Sequence, residues 1–125
     1  MFFEWTDKQR FQEVDFSNPL FPKANDREFW NSKYNEEVVK TAEEKLGYEW
    51  PIIRATQHMA FKKEGNRIAQ ETPYFARRTA LANLFYGELL EYKGRFLPDI
   101  VDGIYIICEE TAWTLSAHPA IDGQN

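Results

Sequence analysis

Apolar residues recur with a helical rhythm in three stretches of the chain. Asn25 or Asp26 can cap the first, where Phe29, Trp30, Val38, Ala42 and Leu46 form an imperfect apolar stripe. Glu36, Glu37, Glu43 and Glu44 give that stretch its wet face. The spacing predicts a helix over 26–46, ended by Gly47, where a left-handed residue costs little. Thr72-Pro73 is a strong start signal, since Thr caps well and proline at the first helical position forfeits no useful bond. The predicted helix runs over 73–93 through Tyr74, Phe75, Leu81, Leu84, Phe85, Leu89 and Leu90, and Gly94 stops it. Leu97-Pro98-Asp99 opens a third helix over 98–112, with Ile100, Val101, Ile104, Ile107 and Cys108 along one face.

The intervening segments read differently. Pro51 disfavours helix at Trp50, so Trp50-Pro51-Ile52-Ile53 is expected to be extended. Residues 56–71 carry the turn signal Gly65-Asn66 between Phe61 and Ile68, which suits two short strands or an ordered loop. Residues 1–24 mix aromatics with Pro19 and Pro22 and fit a short helix or turn followed by an extended arm. The chain thus divides into an arm, 1–24, and a helical module, 25–125, and the fold class is all-α. The 73–93 helix is apolar around much of its circumference, which requires cover on more than one side. That cover comes from the N-terminal half, from a second copy or from a C-terminal region beyond this sequence, and self-association is expected.

Composition narrows the function classes. The 125 residues suit one core, and aromatics make up 16% of them, rings that serve equally in cores and in stacking on sugars. The net charge of −5 is spread among interspersed acids and bases, with no basic face for phosphates, so nucleic acid is not an expected partner. A single cysteine, Cys108, removes any internal disulfide or cysteine-built metal site, and its apolar neighbours predict a buried, inert thiol. No signal-peptide pattern opens the chain, and no apolar run reaches the roughly 18 residues of a membrane span, so a cytoplasmic protein without a membrane partner is expected. With no HExxH, Gly-rich phosphate loop or GxSxG pattern, no metal and no cofactor are expected.

The most informative stretch runs from Gly103 to His118. Glu109 and Glu110 end an apolar helix, where the dipole disfavours negative charge, so a carboxylate there needs a partner. Arg77 or Arg78 is the structural choice, and a cleft beside Trp113 and His118 is the functional alternative. His118 precedes Pro119, which places it in extended backbone outside the helix, able to serve as acid, base or donor. Asn66-Arg67 and Arg77-Arg78 could clamp a sugar carboxylate, or else tie the surrounding loop to Glu71, Glu88 or Glu110.

Several segments together resemble the N-terminal part of the heparinase II/III-like polysaccharide lyases. They are Phe21-Pro22-Lys23-Ala24, Asp26-Arg27, Phe29-Trp30, Gly65-Asn66-Arg67, Tyr74-Phe75-Ala76-Arg77-Arg78 with Leu81, and Gly94-Arg95-Phe96-Leu97. Ile100-Val101-Asp102-Gly103-Ile104 and the most specific piece, Ile107-Cys108-Glu109-Glu110 leading to Trp113 and Ala117-His118, complete the pattern. The resemblance implies an (α/α) toroid followed by a β-sandwich, acting on uronic-acid polysaccharides by β-elimination. In that chemistry one group neutralises the C5 carboxylate, a base takes the C5 proton and an acid protonates the leaving O4. The family's catalytic residues lie further along the toroid than this sequence reaches, so the resemblance implies an inactive N-terminal portion. It assigns no catalytic residue here and places Trp113, His118, Glu110 and Arg78 as sugar contacts, with an acidic polysaccharide or oligosaccharide as partner. The competing expectations are a free-standing helical module that oligomerises or binds a partner without catalysis, and a small intracellular protein of unrelated function.

Overall fold

The structure, a computed structural model, describes residues 20–118. Five helices follow one another there, with no strand among the described residues: α1 (Arg27–Ser32), α2 (Glu36–Glu43), α3 (Ala55–Glu64), α4 (Ile68–Glu91) and α5 (Leu97–Cys108). The all-α class is therefore as expected. The short helix or turn anticipated near the N-terminus, most of the arm it leads into, and the Gly-containing tail after His118 lie outside the described residues.

The predicted 26–46 helix is two helices. Asp26 caps α1 by accepting from Phe29 N (3.2 Å), and the chain then breaks at Lys33. Asn35, in extended backbone, restarts it as a second cap, accepting from Glu37 N (2.9 Å) and Val38 N (3.4 Å). The break rotates the stripe, so that Val39 is buried, Val38 only half-buried and Leu46 exposed.

Residues 56–71 form neither strands nor a loop. They contain α3, the turn, and the first turn of α4. The amide of Arg54 donates to Gln57 Oε1 (2.6 Å) at the start of α3. Gly65 ends it at φ 72°, a left-handed position that only glycine takes without strain. The turn signal was sound, but both flanks are helical.

Consequently α4 begins at Ile68, before the Thr72-Pro73 signal, and Pro73 lies buried inside it. A proline there leaves the Ala69 carbonyl without its i+4 donor. Upstream of it, Asn66 Oδ1 accepts from Ala69 N (3.2 Å), and Arg67 pairs with Glu71 (2.9 Å). The helix stops at Glu91, before the predicted Lys93. Tyr92 takes the left-handed conformation (φ 59°), while Gly94 N donates to the buried Glu88 carboxylate (2.9 Å). Arg27 crosses from α1 to donate to the Leu89 and Leu90 carbonyls (2.8 and 3.2 Å), and its guanidinium lies over the Tyr92 ring (4.2 Å). A cation thus satisfies the carbonyl end of α4, where the helix dipole favours positive charge.

Helix α4 is the hub. Helices α1, α2, α3 and α5 each pack against it, and no other pair of helices among the described residues packs together. This accounts for its apolar circumference. The core comprises Trp30, Val39, Ala42, Leu84, Leu89, Leu90, Phe96 and Ile100. Two glycines permit close approach. A Cβ on Gly87 would collide with Ala42 of α2, and one on Gly103 would lie 2.7 Å from Trp50 Cζ2. Helix α5 ends at Cys108, four residues short of the prediction, which leaves Glu109 and Glu110 beyond it. Cys108 is exposed on its last turn, contrary to the expected burial, because the buried face of α5 is the one carrying Ile100 and Gly103.

Candidate functional site

After α5 the chain turns back along α4, and Glu110 anchors that return. Its side chain is 3% exposed and accepts from Arg78 Nη2 (2.8 Å), Arg78 Nη1 (3.1 Å) and Arg77 Nη1 (3.2 Å). Both arginines of the pair are engaged. Consecutive residues on a helix diverge by about 100°, but these long side chains converge because Glu110 sits between them. Burial pushes the Glu110 carboxyl up, and hydrogen bonds and charge from Arg78 and Arg77 more than offset it, holding the group below its ordinary value. Arg77 is further fixed by donating to the Pro51 carbonyl (2.7 Å). The expected arginine partner for Glu110 is therefore present twice over. The Asn66-Arg67 segment ties to Glu71, as its structural alternative foresaw.

Arg78 leads to Trp113. Its guanidinium stacks on the Tyr74 ring (3.5 Å), and Tyr74 Oη donates to the Trp113 carbonyl (2.9 Å). The Trp113 indole N–H in turn donates to the Ile107 carbonyl (3.1 Å), yet the residue is 60% exposed. An exposed ring is thus held in place through both its main chain and its indole nitrogen. Arg78 spends Nη1 on Glu110 and the Tyr74 carbonyl and one Nη2–H on Glu110. Its Nε–H and second Nη2–H have no protein acceptor among the described residues.

His118 is exposed and closes a turn, its amide donating to the Leu115 carbonyl (3.0 Å). Its side chain makes no hydrogen bond to Trp113, Glu110 or Arg78. Gln70, fully buried, fastens this return segment by accepting from Ser116 N (3.1 Å). Of the four predicted contacts, Glu110 and Arg78 bond directly, Trp113 joins them through Tyr74, and His118 stands apart.

A cleft of about 470 Å³ is lined in part by Arg77 and Glu110. Its walls are the Trp50–Arg54 segment and α3 on one side, the end of α5 and Glu109 to Ala112 on the other, with Gln70 and Arg77 between. Trp50 and His58, both lining it, had no place among the residues singled out from sequence. Only the fold brings the 50–59 segment opposite Glu109. The one sequence signal was Trp50 before Pro51, an aromatic in forced extended backbone. Neither Trp113 nor His118 lines this cleft.

Among the described residues no three His, Cys, Asp or Glu side chains gather as a metal site, and no helix is long and apolar enough to cross a membrane. Comparison with protein-family models gives no match, and comparison with curated proteins gives none either.

Proposed function

We propose that this chain is a saccharide-binding helical unit of the heparinase II/III-like type, forming the opening helices of an (α/α) toroid. In this reading it holds an acidic sugar against Trp113 and does not cleave it. The observation that carries the proposal is the state of Trp113, exposed yet anchored through Ile107 and Tyr74. A ring already fixed in place loses little entropy on binding, and its face suits the C–H face of a pyranose. The uncommitted N–H groups of Arg78 provide for a uronate carboxylate through charge-assisted bonds. Glu110, tied to two arginines, supports that arrangement and is no proton donor near neutral pH. His118, in its exposed turn, lies a short way along the same return segment.

The absence of cleavage follows from what elimination demands. A neutraliser, a base and an acid must converge on one sugar ring, and the resemblance places those groups further along the toroid. Further helices would cover the outer face of α4 and α5, where Phe75, Phe85, Val101, Ile104 and Tyr105 stand between 40% and 68% exposed. That same face favours a second reading, a free-standing module that pairs with another copy through α5. Sedimentation separates the two, because only the second requires a discrete dimer.

Titration with heparan and alginate oligosaccharides, followed by tryptophan fluorescence, tests the proposal. Trp113→Ala and Arg78→Gln should each weaken binding by about 1–3 kcal/mol, the range for losing a charge-assisted or stacked contact. Ultraviolet absorbance should show no unsaturated product. Equal affinity in parent and both variants, or turnover that survives repurification, would overturn it.

A further inference from the structure

A guanidinium carries its five N–H donors in one plane, and two pairs of them run parallel. One pair lies across the end, on Nη1 and Nη2, and the other along the side, on Nε and Nη2. Arg78 commits the end pair to Glu110, Nη2 donating to one carboxylate oxygen (2.8 Å) and Nη1 to the other (3.1 Å). The second Nη1–H goes to the Tyr74 carbonyl (3.1 Å). What remains is the complete side pair, Nε–H and the second Nη2–H. Trp50 Nε1 is the only buried side-chain nitrogen without a partner among the described residues, so the partnerless Nε of Arg78 reaches the surface.

That side pair is held in place before any ligand arrives. Glu110 clamps the end of the guanidinium, and the Tyr74 ring lies against its face at 3.5 Å. Tyr74 is itself tied to the Trp113 carbonyl (2.9 Å), so the free pair and the exposed indole share one support. A donor pair fixed in this way loses little side-chain freedom on binding. Charge gives the ligand its sign. Arg77 and Arg78 share the single Glu110 carboxylate, which leaves the three groups with one net positive charge. The group that suits this site carries negative charge and accepts two parallel N–H bonds. A carboxylate does both, whereas an ester or a sugar hydroxyl lacks the charge.

We propose that Arg78 is the specificity-determining residue of the saccharide surface. It takes one uronate carboxylate bidentately on Nε–H and Nη2–H and so separates acidic sugars from esterified or neutral ones. The inference rests on saccharide binding at Trp113 and adds the atoms that read the acid. Lysine cannot substitute, because an ammonium is a point charge without a parallel donor pair.

An alginate oligosaccharide and its methyl ester differ only at the carboxyl group. Both are titrated into the full ¹⁵N-labelled chain and its Arg78→Lys variant, with tryptophan fluorescence for affinity and arginine Nε–H resonances for contact. The parent should bind the acid at least about tenfold more tightly than the ester, a difference of about 1.4 kcal/mol. The Arg78 Nε–H signal, identified by its absence from Arg78→Lys, should shift saturably with the acid and stay in place with the ester. In Arg78→Lys the affinity for the acid should fall to that for the ester, which itself stays at the parent's value. A merely structural role would instead weaken acid and ester by the same factor. That result, equal affinities in the parent, or an unmoved Nε–H signal in the acid complex would each overturn the assignment to Arg78 and leave saccharide binding standing. A parent that binds neither compound overturns both.

Discussion

Replacing Glu110 by Gln keeps the shape of the side chain and removes the one negative charge between two arginines. Arg77 is 10% exposed at its side chain and Arg78 29%, so the two cations would face each other with little water to screen them. Removing one partner of a buried pair typically costs about 3–5 kcal/mol. The partial exposure of Arg78 and the oxygen retained by Gln place the expectation at the lower end, ~3 kcal/mol. For a chain of this size that lowers Tm by about 12 °C. Urea unfolding followed by far-ultraviolet circular dichroism measures the loss. The pH dependence follows from the direction of the shift. A carboxyl held below its ordinary 4.5 contributes its stability in full above that value and loses it as pH falls through the lowered one. The parent should therefore lose stability on acidification below about pH 4.5, and the Gln variant should show a flatter profile there. A Glu110→Gln protein within 1 kcal/mol of the parent, roughly the worth of an exposed pair, would refute the buried-anchor reasoning.

Gly103→Ala forces a Cβ into the Trp50 ring and should cost about 1–3 kcal/mol in urea unfolding, whereas an unchanged midpoint would mean the indole has room to move. Gly87→Ala should behave alike through its collision with Ala42, without disturbing the Trp50 indole resonance. The exposed face of α5 should promote concentration-dependent association in sedimentation velocity, relieved by Ile104→Glu; a parent that stays monomeric and binds no hydrophobic dye contradicts this.

The helical class and the Glu110 anchor were legible in the sequence for local reasons. A carboxylate at the end of an apolar helix needs a cation, and Arg77-Arg78 on the neighbouring helix offered one. Helix boundaries were less legible. Thr72-Pro73 carries every local mark of a start, yet the bond from Ala69 N to Asn66 Oδ1 and the Arg67–Glu71 pair extend α4 upstream past a proline that removes only one hydrogen bond. Asn35-Glu36-Glu37 held the opposite signal, a cap followed by acids, inside what read as one stripe. In α3 the apolar residues Met59, Ala60 and Phe61 are adjacent and mark no face, so periodicity was silent. The Trp50 cleft joins segments some fifty residues apart, which no spacing rule could bring together. The burial of one α5 face against α4, and not the apolar run itself, decided that Cys108 lies outside.

Indole N–H spectra of the labelled chain during titration with an acidic oligosaccharide test the saccharide-binding account most directly. Trp113 should shift earliest and furthest, with Trp30 and Trp50 unmoved, and the response should vanish in Trp113→Ala. Saturable binding that leaves the Trp113 resonance in place, or no binding by any uronic-acid oligosaccharide, would contradict it.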